Sequence, residues 1–188
     1  NRSKEEATLY PTIKSACRGN PHFISASLFI AKAKQFDDGL MAAVEYLCQQ
    51  GTENFPGKQW LLQQLSKSMT EILGNNHGPQ TYCQGFITAA ASLGGQEMSP
   101  PNAVKTEARN IESKFLNNQL RSKPIGFYTW TEELSQIFQQ DRLLQKVFDP
   151  NKEKEKEVIT ILGNQLASDN TAKSSYNKYL SFIQKLTN

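Results

Sequence analysis

Two histidines and three cysteines are the chain's whole supply of imidazole and thiol, so chemistry that needs them has few places to sit. Cys83 opens a strongly apolar run, 82–93, whose composition predicts a buried helix. A thiol at a helix start feels the positive end of the backbone dipoles, which favours the thiolate, the form that attacks carbonyl carbon. His77 stands six residues earlier, in the turn 74–79, and is the nearest base for such a nucleophile. The pair would carry a hydrolase or transferase reaction. The opposing reading makes Cys83 a small core residue among apolar neighbours, and the chain lacks the C-G-[SA]-C-[WY] run of papain-like enzymes.

Other chemistries find less support. No G-x-S-x-G elbow and no phosphate-cradling glycine pattern occurs, and Gly94-Gly95 reads as a helix terminator. The acidic pairs Asp37-Asp38 and Glu132-Glu133 are adjacent. On a helix, neighbours point about 100° apart, so neither pair forms a facing acid and base. Neither histidine has a second His or Cys one turn away, and no C-x2-C or EF-hand loop is present. The sequence therefore predicts no metal site and no cofactor.

The candidate for binding is the stretch 123–145. KPIGFYTW, at 123–130, places Pro and Gly among bulky residues and breaks the helical pattern, and a helix carrying Asp141 and Arg142 follows. Aromatic and arginine side chains dominate binding hot spots, so Phe127, Tyr128, Trp130 and Arg142 are the candidate binding residues. The competing expectation is that the aromatics plug a loop onto the core. Residues Gly126, Phe127, Tyr128, Thr129, Thr131, Glu132 and Leu134 resemble a G-[FHY]-Y-T-x-[ST]-E-x-L pattern found in large bacterial helical proteins of unknown function. The resemblance spans about a dozen residues, names no family and implies no activity.

The elements around these residues read as helices. Asn20-Pro21 is a cap followed by a first-turn proline, and Asp37 is expected to cap a second helix that Gly51 closes. A third runs from near Pro56 to Gly74 with Trp60, Leu61, Leu65, Met69, Ile72 and Leu73 inward. In the run 82–93 the alanines permit close helix approach. Ser99 with Pro100 and Pro101 is expected to start a long helix to about Arg121. Thr129 and Glu132 have capping-box spacing, and Leu143, Leu144, Val147 and Phe148 extend that helix's apolar pattern to Asp149-Pro150. Two last helices carry Val158, Ile161, Leu162 and Leu166, then Tyr176, Leu180, Ile183 and Leu186. The prediction is all-α: a compact array of roughly eight to ten helices, with short connections and one non-helical aromatic segment near 123–130. The range 1–188 reads as one domain, with a weak boundary near 149–152. The absence of an initial methionine suggests a fragment of a longer protein.

Composition excludes function classes more firmly than it selects one. Net charge is +3, with acids and bases interleaved, including the self-cancelling run KEKEKE at 152–157. A nucleic-acid partner is therefore not expected. Mean hydropathy is −0.56 and no stretch approaches the ~20 apolar residues of a membrane span. Widely spaced Cys17, Cys48 and Cys83 read as buried free thiols of a reducing, cytoplasmic setting. Three readings follow. The leading one is a protein-interaction or scaffold domain whose partner is another protein or the rest of a longer chain. The others are an assembled Cys/His site, and a small-molecule or lipid-binding helical bundle.

Overall fold

Apolar spacing of three and four residues, punctuated by Gly, Pro and Asp, places helices along most of the chain. The structure, a computed structural model, describes residues 12, 14, 15, 18, 25–73 and 78–185. The helix start expected at Asn20-Pro21, with Cys17, His22, His77 and Leu186, lies outside the described residues. Among the described residues there are eight α-helices, one 3-10 turn and no strand beyond the isolated bridge Thr52–Phe55. The all-α class stands.

The helices are α1 (Ala26–Gln50), α2 (Gly57–Leu73), α3 (Pro79–Leu93), α4 (Asn102–Leu116), α5 (Gln119–Ser122), α6 (Glu132–Leu144), α7 (Glu153–Ser168) and α8 (Asn170–Gln184), with the 3-10 turn at Gly126–Thr129. The chain divides into two compact units, Asn1–Val44 and Glu45–Asn188, so the division falls inside α1. Among the described residues no helix is long and apolar enough to cross a membrane.

Within the second unit α3 is the central helix, with α2, α4, α6 and α7 packed around it and α8 laid on α2 and α7. Its small residues explain the position. Cys83, Ala89, Ala90 and Ala91 are fully buried. At Gly85 an added Cβ would stand 3.0 Å from Glu107 Cγ and 3.2 Å from the Ala108 backbone nitrogen, so glycine sets the close approach of α4. Leu62 and Met69 of α2, Ile111 and Phe115 of α4, Leu143 of α6 and Val158 of α7 complete the core.

Five boundaries differ from the sequence reading, among them the end of α6, which stops at Leu144 and leaves Val147 and Phe148 beyond it. Asp37 is no cap, because α1 runs through it as one helix; Lys34 Nζ reaches Asp38 Oδ2 at 2.7 Å across one turn, a pair that supports unbroken helix. Ser99 gives way to Pro101, whose extended backbone (φ −54, ψ 153) precedes α4 without a side-chain cap. The long helix expected to reach Arg121 stops at Leu116, and Asn117-Asn118 lead into the single turn α5. Thr129 does not cap α6: its Oγ1 donates to the Gly126 carbonyl at 2.8 Å inside the 3-10 turn. Thr131 caps instead, extended at φ −137 and accepting from the Leu134 amide at 3.1 Å. The T-x-x-E spacing and the true cap are two residues apart, and both read as Thr.

Candidate functional site

The 3-10 turn exists because Pro124 and Gly126 exclude helix while Thr131 starts one. The turn stacks its rings: Phe127 and Tyr128 centroids lie 4.3 Å apart, and Trp130 meets Phe127 edge-on at 6.2 Å. Tyr128 also packs on Phe138 of α6 at 5.1 Å. Three of the candidate binding residues thus form one cluster. Arg142 joins it only through Phe138, over whose ring its guanidinium lies at 6.0 Å. Phe127 and Tyr128 are half-buried, and Trp130 is exposed.

Tyr128 leads inward to charge. Its hydroxyl donates to Glu45 Oε1 at 2.6 Å, and burial followed by that carboxylate pushes its own ionisation well above the usual range. Glu45 Oε2 lies 3.8 Å from Lys58 Nζ, and Lys58 Nζ donates to both oxygens of Asp141 at 2.6 Å. Lys58 sits in the first turn of α2, where the helix dipole disfavours a cation, and its side chain is only 7% exposed. Two carboxylates around it answer that cost. Desolvation holds the Asp141 pKa above the ordinary aspartate value even against the attraction of Lys58. Three charges, one positive and two negative, therefore sit together with a net of −1.

Lys58 and Asp141 of this network form the polar end of a groove of about 500 Å³ bounded by α2, α3, α6, α7 and α8, with Glu45 behind them. Its walls are apolar: Leu61 and Leu65 from α2, Leu144 from α6, Phe148 just beyond it, and Leu162 and Leu166 from α7 are all half-buried. Tyr176 and Tyr179 of α8 close the side. Burial, then the charge of Asp141, raises the Tyr179 hydroxyl above its usual range, so it stays a neutral hydrogen-bonding group. The arrangement can take up an apolar body and offer one charged end to a polar head.

The thiols lie elsewhere. Cys83 is fully buried, its Sγ sits 3.8 Å from the Val158 carbonyl, and burial pushes its pKa up to about 12. At neutral pH it is a protonated thiol sealed from solvent, the reverse of what a nucleophile requires. Cys48 is likewise buried and free, pushed up to about 11. Among the described residues no group of three His, Cys, Asp or Glu side chains is placed to hold a metal.

Sequence reasoning reached the aromatic cluster but missed Lys58 and Glu45. A lysine two residues after a proline and a glutamate on an amphipathic helix read as solvated side chains, and only their meeting across 83 residues with Asp141 and Tyr128 gives them meaning. Comparison of the chain with protein-family models, with curated proteins and with solved structures finds no match.

Proposed function

We propose that this chain is a ligand-binding helical domain, holding an amphiphile with an apolar tail and an uncharged or cationic head in the groove between α2, α3, α6, α7 and α8. The observation that carries this reading is a half-open apolar groove of about 500 Å³ ending on a buried ion-pair network. That volume lies within the roughly 300–1,000 Å³ typical of small-molecule sites. The carboxylate of Asp141 at the polar end, with that of Glu45 behind it, selects the head: a hydroxyl or ammonium donates to Asp141, while a carboxylate meets like charge. Calorimetric titration with decylamine, decanol and decanoate tests the order. Decylamine and decanol are expected to bind and decanoate to bind at least roughly tenfold more weakly, since about 1.4 kcal/mol of repulsion suffices. Leu144→Trp and Leu162→Trp, which fill the apolar part of the groove, are expected to abolish binding. Equal affinity for all three amphiphiles, or binding that survives both substitutions, contradicts the reading.

A second reading, association between copies of the chain, rests on α1. Phe29, Ala33, Phe36, Leu40 and Ala43 recur at spacings of four and three and are all exposed, with Phe36 at 75%. That is a two-heptad seam. In a parallel, in-register pair, Lys32 of one copy flanks the seam five residues before Asp37 of the other, the spacing at which opposite charges meet across a coiled coil. An antiparallel pair centred there sets Asp37 against Asp37. Sedimentation equilibrium is expected to show a weak dimer that Phe36→Glu dissolves, that Lys32→Glu weakens, and that Lys32→Glu with Asp37→Lys restores. A monomer at all concentrations removes this reading, and a dimer indifferent to these changes places the interface elsewhere.

A further inference from the structure

The other side of α6 carries charges of a different kind. Arg142 and Lys146, one turn apart in sequence, line a cleft of about 280 Å³ with Lys114 of α4 and Arg121 of α5. One acid, Glu107, lies on its wall. None of the four cations has a carboxylate oxygen within ion-pairing distance among the described residues, whereas Lys34, Lys58 and Lys152 each do.

Arg142 and Lys146 are held in place without ion pairs, although Glu155 lies within electrostatic reach of Lys146. The Arg142 guanidinium lies over Phe138 and donates through one terminal nitrogen to Gln145 Oε1 at 3.2 Å, while its Nε is buried without a partner. Lys146 Nζ donates to the Tyr82 hydroxyl at 2.6 Å and sits 5.2 Å from the Tyr82 ring and 4.9 Å from the Phe148 ring. Aromatic faces position a cation yet leave its charge available.

The charge sum decides what such a cleft prefers. Four cations and Glu107 give +3. Lys114 and Arg142 lie in the last turns of α4 and α6, whose carbonyl ends contribute roughly −0.5 each. About +2 remains. A phosphate monoester, at about −1.5 to −2 near neutral pH, brings three acceptor oxygens to four separate cations, where a carboxylate brings one charge and two oxygens. Ile111, Phe115 and Leu143 supply an apolar wall beside the charges, which suits the organic part of an ester.

We infer that the cleft between α4 and the end of α6 binds a small phosphate monoester, with Arg142 and Lys146 gripping the phosphoryl oxygens and Lys114 and Arg121 closing the opposite wall. This inference is independent of the groove, so the failure of either leaves the other standing.

The test is calorimetric titration of the whole chain at low ionic strength with phenyl phosphate, inorganic phosphate and benzoate. Phenyl phosphate is expected to bind most tightly, inorganic phosphate more weakly for want of the apolar wall, and benzoate weakest. Arg142→Gln is expected to weaken phenyl phosphate binding by roughly tenfold or more, the scale of a charge-assisted hydrogen bond. Arg121→Gln, an exposed position, should weaken it by a smaller factor. Lys67→Gln, at an exposed position of α2, removes the same unit of charge outside the cleft and is expected to leave affinity unchanged. Equal weakening by Arg142→Gln and Lys67→Gln would mean that only net charge matters, and overturns the site. No heat up to about 10 mM, where affinity would fall below ~3 kcal/mol, leaves the cations only the helix-end role and also overturns it. Inorganic phosphate binding as tightly as the ester overturns the assignment to an ester.

Discussion

Asp141 and Arg142 are consecutive on α6 and line different cavities. Asp141 ends the apolar groove and is tied to Lys58 through both its oxygens at 2.6 Å. Arg142 lines the cleft with α4 and rests on the Phe138 ring. Burial explains the contrast. Lys58 is nearly sealed, so its charge needs opposite charge beside it, because desolvation in the interior costs several kcal/mol per ion. Arg142 and Lys146 keep part of their surface in water, so aromatic faces suffice to hold them. The first arrangement gives a stable, nearly balanced end to an apolar groove. The second leaves positive charge unspent.

The comparison is most easily broken at Lys58. Lys58→Met leaves Asp141 and Glu45 facing one another without a cation, and chemical denaturation is expected to show a loss of about 3 kcal/mol. This sits at the low end for buried pairs because Asp141 keeps a side-chain exposure of 24%. Adding Asp141→Leu should recover most of the loss. If the double variant is as unstable as the single one, the pair is not what Lys58 contributes. Gly94→Ala comes next, at about 1–3 kcal/mol, since a methyl there would collide with the buried Gln140 amide. Gln140→Ala should relieve part of that penalty and exposes any other cause if it does not.

Asp169→Ala should cost about 1 kcal/mol by removing the cap that accepts from the Thr171 and Ala172 amides. Those hydrogen bonds, that from Ala172 first, hold the Asp169 pKa below the ordinary 3.8. Its contribution is therefore full above that value and fades as pH falls through the lowered one. A penalty that instead grows toward low pH would contradict the cap. The smallest effect is expected on the other face of α6. Arg142→Gln should change stability by less than about 0.5 kcal/mol, because no ion pair is lost. A larger loss would make Arg142 a structural residue and blur the difference between the two faces.

Legibility in the sequence followed the range of the interaction. The helices of the second unit were readable because apolar spacing and buried small residues are local patterns: the run containing Phe86, Ala89, Ala90 and Ala91 announced α3. Errors came where two local signals compete. At 129–132 either threonine satisfies a capping rule, and only backbone conformation assigns the role to Thr131. At Asp37 a cap residue lies where side-chain pairing keeps the helix going. The aromatic cluster was visible because Pro124 and Gly126 interrupt a helical pattern. The groove was not, since Leu65, Leu144 and Leu162 look alike whether they pack together or leave space between them. Lys58 and Glu45 acquire their partners through tertiary contact alone. Burial of Cys83 stands against the thiol chemistry it suggested. Alkylation mapped by mass spectrometry should find Cys48 and Cys83 silent at pH 8, well below the values of about 11 and 12 that burial imposes; rapid labelling of Cys83 at that pH would reopen it.

The most direct test of the central claim is a methyl-resolved NMR titration of the intact chain with decanol. If the groove holds the ligand, leucine methyls at positions 61, 65, 144, 162 and 166 shift together and show contacts to the alkyl chain, while Leu120 and Val147, exposed elsewhere at 96% and 89%, stay put. If the shifts are confined to such exposed methyls, or are absent at ligand saturation of the solution, the groove is a packing feature and the ligand-binding account is wrong.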